Sequence, residues 1–273
     1  MAHAGARHGP LFVLKYSPPV FGVLSALLLP TQRRRVEDSL RWVHGDSGSA
    51  PARREVLATF VQYARCLAEG LAAGRPEANQ ARCHVEGEAF LRAALAREQG
   101  FIVVTAHVGP WDAAARSLKA AFERDVVVVM QEEPDPEARA LHDRVRNEAG
   151  VRVIHIGNHP LDAMPLLREL KRGSIVAIQL DRSPPNGREL GVRLFGRSAT
   201  LPEGPFRLAA LAEVPIFPLF ARRRGFFEYD LVVCPPIELA RTAPREKLDE
   251  AAQAAADAMA GFISQSPTQW FNF

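Results

Sequence analysis

Short runs of β-branched residues alternate with helical segments throughout the second half of the chain, and this alternation constrains the fold more than any other feature. The strand candidates are Phe101 to Ala106, Asp125 to Met130, Val151 to Ile156, Ser174 to Leu180, Val214 to Phe220 and Tyr229 to Val233. The helices predicted between them are Asp112 to Glu123, Pro136 to Ala149, Leu161 to Arg172 and Gly204 to Glu213. Because continuous apolar strands separated by helices build sheets covered on both faces, the pattern predicts an α/β fold with a mostly parallel sheet flanked by helices.

The first 99 residues lack this alternation. Pro51 to Gly74 and Glu86 to Glu98 have helical spacing of apolar residues, and Arg245 to Ser264 predicts a further helix near the other end of the chain. We therefore expect one structural domain, with a helical N-terminal segment at 1–99 and an α/β core with a C-terminal helix at 100–273.

The apolar run Val20 to Pro30 precedes three arginines, Arg33 to Arg35. The run is shorter than the roughly 20 residues that span a bilayer, and Pro18-Pro19 interrupts the pattern of a signal peptide. Two interpretations stay open. Residues 11–35 either lie at a membrane interface with the arginines at anionic head groups, or pack on the protein's own core.

Charge and cysteine content narrow the function classes. With 34 Lys and Arg against 31 Asp and Glu the net charge is +3, so local anionic partners are favoured over nucleic acid. The three cysteines, Cys66, Cys83 and Cys234, show no metal or disulfide spacing and fit a reducing compartment. His142, His155 and His159 have no second ligand at metal spacing, and we expect no metal or other cofactor.

The stretch "TAHVGPWD" places His107 directly after a predicted buried strand. Gly109-Pro110 then turns the chain, and Asp112 falls in the first turn of the next helix. Ligands of such sheets bind beyond the carboxyl ends of the strands, so the pattern predicts a general base, His107, oriented by Asp112. The alternative is a structural histidine beside an aspartate that serves the helix terminus.

The segment "HVGPWD" resembles the H-x-x-x-x-D/E motif of the lysophospholipid and glycerolipid acyltransferase superfamily. The segments "LFGRSATLPEGPFRLAALAEVPIFPLFARR" and "SPTQWFNF" are similar to those of bacterial lipid A late acyltransferases and phosphatidylinositol mannoside acyltransferases. The resemblance implies direct acyl transfer from acyl carrier protein or coenzyme A to a hydroxyl or amine of a lipid or glycolipid. It also implies a peripheral enzyme on the cytoplasmic face of the inner membrane, without nucleic acid partners.

The resemblance implies substrate-binding residues as well. In "QLDRSPPNG", Asp181 and Arg182 would bind the phosphate or polar head of the acceptor, with Gln179 beside them. Thr200 and Gly204 match a T-x-x-G-P segment that opens a helix, which makes Glu203 a helix-terminus residue.

The reacting carbonyl and the acyl chain need partners too. The oxyanion would need donors such as the backbone N–H groups of Val108 and Gly109 or an arginine. The aromatic residues Trp111, Trp270, Phe271 and Phe273 would line an acyl groove or belong to the core.

One segment departs from the lipid A enzymes. Where these carry arginine after the second strand, this chain reads "MQEEPDPEA", and such an acidic rim would repel a heavily phosphorylated acceptor. Another acceptor, such as a glycolipid, an ornithine lipid or an aryl polyene precursor, therefore stays open. Two further function classes stay open as well, namely a thioester or ester hydrolase and a non-catalytic lipid-binding module.

Overall fold

The computed structural model describes residues 2–45, 51–96, 99–131, 151–157, 163–184 and 187–273. Its helices are α1 (Ala2–His8), α2 (Leu11–Leu28), α3 (Pro30–His44), α4 (Arg53–Leu71), α5 (Pro76–Asn79), α6 (Glu88–Leu95), α7 (Trp111–Phe122), α8 (Met164–Lys171), α9 (Gly204–Ala212) and α10 (Arg245–Gln265). A short 3₁₀ turn, Pro267–Gln269, follows α10.

The strands form one large sheet and one hairpin. They are β1 (Arg82–Glu86), β2 (Phe101–Thr105), β3 (Val126–Gln131), β4 (Arg152–Ile156), β5 (Ile175–Gln179), β6 (Glu189–Leu194), β7 (Arg197–Pro202), β8 (Ile216–Gly225) and β9 (Glu228–Val233). The seven-stranded sheet has the order β1-β9-β8-β2-β5-β3-β4, and β6 pairs with β7 in the separate hairpin. Among the described strands of the large sheet, only the β8–β9 pair is antiparallel. The chain is therefore α/β with a mostly parallel sheet, as the sequence predicts.

Alternate residues of the central strand β2 belong to two different cores. Ile102 and Val104 pack in a cluster with buried residues of α8, α9 and α10. Phe101 and Val103 pack with α6 and α7 on the other face. Because both faces of β2 are covered, its side chains read as a continuous apolar run instead of an alternating one.

The helix α2 packs along α4 through a stripe of buried residues at every fourth position. These residues are Leu14, Pro18, Gly22 and Ala26. A Cβ atom on Gly22 would lie 2.7 Å from the Cα of Val61, so only glycine permits this approach. Leu14 clusters with Ala72 at the end of α4, and Ala26 with Val56 near its start, so the two helices run antiparallel.

The outer face of α2 is apolar and exposed. Phe12, Phe21 and Leu28 are 66%, 63% and 74% exposed. The helix continues through Pro18 and Pro19 and is thus longer than the sequence suggests. With 18 residues and a mean hydropathy of 1.6, it is the one helix among the described residues long and apolar enough to cross a membrane.

Each strand expected from the β-branched runs is confirmed within a few residues, although β8 extends to Gly225. The strands β1, β6 and β7 were not expected. The predicted helix Pro136 to Ala149 lies outside the described residues.

Candidate active site

A cavity of about 550 Å³ opens at the carboxyl ends of the parallel strands. Residues from the ends of β3, β4 and β5 line it, together with the N-terminus of α9 and the loop after β5. His107, two residues beyond β2, lies on its wall. Parallel sheets place their ligands at this edge, so the cavity is where the fold favours chemistry.

The turn that carries His107 is fixed by backbone hydrogen bonds. Gly109 has a φ of +52°, and a Cβ atom there would lie 2.3 Å from the carbonyl oxygen of Ala221. Its N–H donates to the carbonyl of Gln269 at 2.9 Å, and the N–H of Phe271 donates to the carbonyl of His107 at 2.7 Å. The segment 269–271 therefore holds the turn on both sides.

A buried carboxylate holds the imidazole of His107. The Oδ1 atom of Asp181 lies 2.8 Å from Nδ1 of His107. The same carboxylate accepts the backbone N–H of His107 at 3.0 and 3.1 Å, and the indole N–H of Trp270 at 3.0 Å. The side chain of Asp181 is 1% exposed and that of His107 is 22% exposed. Asp181 is therefore shielded from solvent, whereas His107 lies on the cavity wall.

The environment of Asp181 keeps it ionised. Burial alone would raise the pKa of its carboxyl, but the hydrogen bonds and charge of His107 and the hydrogen bond from Trp270 together hold that pKa below its usual value. An ionised carboxylate only accepts hydrogen bonds, so Nδ1 of His107 carries a proton. In the neutral imidazole the lone pair is then on Nε2, which makes no hydrogen bond with the described residues. The geometry suits a general base.

Comparison with protein families matches residues 17–273 to the bacterial lipid A biosynthesis acyltransferases. The chain belongs to this family. It is therefore an acyltransferase that acts on a lipid acceptor, in agreement with the resemblance seen in the sequence. No curated protein matches the chain.

The structure corrects the expected partner of His107 in this acyltransferase. Asp181, expected at the acceptor, is buried and occupies Nδ1 of His107, which was the place expected for Asp112. Asp112 lies in the first turn of α7 and is half-buried. Its Oδ2 atom lies near α4, 3.9 Å from the position that a Cβ atom on Gly70 would take.

The other expected site residues divide into those on the cavity wall and those away from it. Gln179, Arg182 and Gly204 line the cavity. Thr200 is exposed within β7 and does not line the cavity, whereas the helix begins at Gly204 as predicted. Gly109 also stays off the wall, since the backbone of Ala221 fills the space beside it.

The expected aromatic residues have different positions. The Trp111 ring lies 6.5 Å from that of His107 and lines a narrow apolar slot beneath α7, not the cavity. Trp270, Phe271 and Phe273 belong to the segment behind His107. Arg182 donates to the carbonyls of Phe271 and Phe273 at 3.1 and 3.4 Å, and so also holds this segment.

The sequence did not point to the remaining charges of the cavity wall. Arg188 and Arg207 line it with Arg182. Glu203 is 3% exposed and forms ion pairs with Arg207 and with Arg245 of α10, so one acid faces several bases. The "LPEGPFR" segment contains two of these residues, and an i, i+4 Glu-Arg pair was its readable signal. In the part of the chain that the structure describes, no group of three or more His, Cys, Asp or Glu side chains could hold a metal ion.

Proposed function

We propose that this acyltransferase moves a fatty acyl chain from a thioester, on acyl carrier protein or coenzyme A, to a hydroxyl of a phosphorylated glycolipid of the lipid A type. The observation that carries the proposal is the position of His107, oriented from behind by Asp181 and open to the cavity in front. An imidazole that is held at Nδ1 and lies on a cavity wall can accept a proton from a ligand at Nε2.

The reaction needs no acyl-enzyme. Nε2 of His107 accepts the proton of the acceptor hydroxyl while the oxygen attacks the thioester carbonyl. The tetrahedral intermediate collapses, the carbon–sulfur bond breaks, and the imidazolium returns the proton to the departing thiolate. The negative Asp181 stabilises the transient positive charge on the imidazole.

Positive charge on the cavity wall supports a phosphorylated acceptor. Arg182, Arg188 and Arg207 line the cavity, and Glu203 is the one acid among its described lining residues. Arginine binds phosphate with two parallel hydrogen bonds, which suits this surface to a sugar phosphate. The acidic segment that argued for another acceptor lies outside the described residues, so ornithine-lipid and aryl polyene acceptors remain outcomes of the test.

The outer face of α2 supports peripheral attachment to the membrane. Its most exposed large side chains are those of Phe12, Tyr16, Val20, Phe21, Leu24, Leu27 and Leu28. The opposite face is bound to α4, whose first turn carries Arg53, Arg54 and Glu55. Inserting α2 across the bilayer would pull it from this partner, whereas lying in the interface keeps both contacts and places Arg33 to Arg35 near anionic head groups. Because the thioester donors are cytoplasmic, we assign the cytoplasmic face of the inner membrane.

Intact-lipid mass spectrometry of cells expressing the wild-type protein or His107→Ala tests the proposed function. We expect a species with one added acyl chain only with the wild type, since loss of a general base lowers turnover by about 10²- to 10⁴-fold. The control is His84→Ala, which changes an exposed histidine on the edge strand β1. Free fatty acid without an acylated lipid would indicate a hydrolase. Equal lipid profiles at equal expression would contradict catalysis and favour a lipid-binding module.

A further inference from the structure

We propose that the side-chain amide of Gln179 is the oxyanion donor of this site, binding the thioester oxygen as it becomes negatively charged. This inference rests on the proposed acyl transfer. Attack on a thioester carbonyl creates an alkoxide-like oxygen, and a fixed hydrogen-bond donor aimed at that oxygen lowers the barrier.

The turn beside His107 cannot supply the donor that the sequence suggests. The N–H of Val108 donates to the carbonyl of Ala106 at 2.7 Å, and that of Gly109 to the carbonyl of Gln269 at 2.9 Å. The N–H of His107 itself donates to Asp181. All three backbone donors of this turn are therefore engaged within the fold, so the oxyanion needs another group.

Gln179 lies next to the residues that hold His107. It is the last residue of β5, directly opposite Thr105, the last residue of β2, and two residues before Asp181. It lines the cavity together with His107 and also lines the slot beneath α7. The base, its carboxylate and this amide thus come from the adjacent ends of two neighbouring strands.

The amide nitrogen of Gln179 lacks a hydrogen-bond acceptor among the described residues. Nε2 is buried, and it makes no hydrogen bond with any described residue. A buried donor without an acceptor is costly to a fold, and the few that natural structures keep call for a specific reason. A ligand oxygen that accepts strongly only in the transition state provides that reason here.

The charge of the group also fits. Arg182, the nearest cation along the chain, directs its guanidinium at the carbonyls of Phe271 and Phe273. A neutral amide adds no charge beside the imidazole, whereas a cation there would oppose the imidazolium that forms during the reaction. Gln179 can therefore stabilise the oxyanion without weakening the base.

Steady-state kinetics with lauroyl-acyl carrier protein, and the acceptor identified by lipid mass spectrometry, tests the inference. We expect Gln179→Leu to lower kcat by about 10²- to 10³-fold, the loss typical of one oxyanion donor, with KM for the donor changed less than about threefold. Gln179→Glu keeps the shape but removes the N–H donors and should lose at least as much. The matched control is Gln62→Leu, because Gln62 on α4 is the other described glutamine with a buried amide atom lacking a partner, and it does not line the cavity.

The outcomes separate this inference from the proposed function. If the wild type transfers acyl chains and Gln179→Leu retains its kcat, or loses activity only through KM, the inference is overturned and the function stands. If Gln179→Leu does not fold, the near-isosteric Gln179→Glu decides by the same criteria. If the wild type and His107→Ala are equally inactive, the proposed function fails and the assignment of Gln179 fails with it.

Discussion

Two buried carboxylates lie at opposite ends of the parallel sheet. Asp181 follows β5 at the carboxyl edge, and Glu169 of α8 lies at the amino edge beside Arg152 and Ser174. Their side chains are 1% and 7% exposed, and the pKa of each carboxyl is below its usual value. By burial and ionisation alone they would look equivalent.

Their partners make them different. Glu169 accepts hydrogen bonds from Arg152, Arg172 and the Ser174 hydroxyl, none of which takes up protons at neutral pH. Asp181 is bound to the imidazole of His107, a residue that lines the cavity. A buried carboxylate indicates a functional site only when its partner has a second atom that can react with a ligand. We therefore expect substitution of Asp181 to lower the reaction rate and substitution of Glu169 to lower the stability of the fold.

The largest expected effect is that of Asp181→Asn on the reaction rate. The amide can present its N–H to Nδ1 and favour the wrong imidazole tautomer, so we expect kcat to fall by roughly 10²- to 10⁴-fold, as for other loss of general-base function. Acyl transfer by purified protein, with circular dichroism as the check on folding, measures this. If Asp112→Asn reduces kcat by the same factor or more while Asp181→Asn does not, the orienting role belongs to Asp112.

Glu169→Gln should reverse the pattern, lowering stability while activity per folded molecule stays within about twofold. We expect a loss of about 1–3 kcal/mol in the free energy of unfolding at pH 7, since the buried network loses its charge. Burial alone would raise the pKa of Glu169, but Arg152 and Ser174 bring it below its usual value of 4.5. The stabilisation is thus present above that value and is lost as pH falls through the lower folded pKa.

Unfolding at pH 7 and near pH 3 checks this sign. The difference between the wild type and Glu169→Gln should shrink on acidification, and a difference that grows would contradict it.

Trp270→Phe should lower the reaction rate less than Asp181→Asn does. It removes one hydrogen bond to Asp181 but keeps most of the ring that packs near Phe195. We expect kcat to fall about tenfold, with donor KM unchanged, because the carboxylate is less firmly placed. Stopped-flow assays of acyl transfer give the value, and Phe271→Leu is the control for packing in the same segment. A change in KM alone would make Trp270 a substrate contact.

The sequence was informative where local pattern decides the structure. The β-branched run at 101–105 predicted a buried strand because both of its faces meet apolar cores. The strand β1 was missed because "RCHVE" is an edge strand whose exposed positions are polar. The β6–β7 hairpin had a signal in the sequence, since Glu189–Leu194 alternates exposed and buried residues. In the fold, the backbone of Arg193 in β6 is hydrogen-bonded to the side chain of Gln253 in α10.

The site was harder to predict, because its contacts are distant in sequence. His107 was identified from its position after a strand, and proximity along the chain then selected Asp112 as its partner. Asp181 is 74 residues away and Trp270 is 89 residues beyond Asp181, so only the pairing of β2 with β5 brings the first two together. Local spacing contains no information on such a pairing.

The hydrogen bond from Trp270 to Asp181 has a consequence for synthesis of the protein. A growing polypeptide that has emerged from the ribosome only as far as α9 already has both His107 and Asp181, but neither the indole nor the 269–271 backbone that holds the turn. Contacts of such long sequence separation form late in folding. We therefore expect the turn that carries His107 to become fully ordered only when the segment 269–271 docks. If the proposed function holds, a partly made chain would then transfer little acyl group.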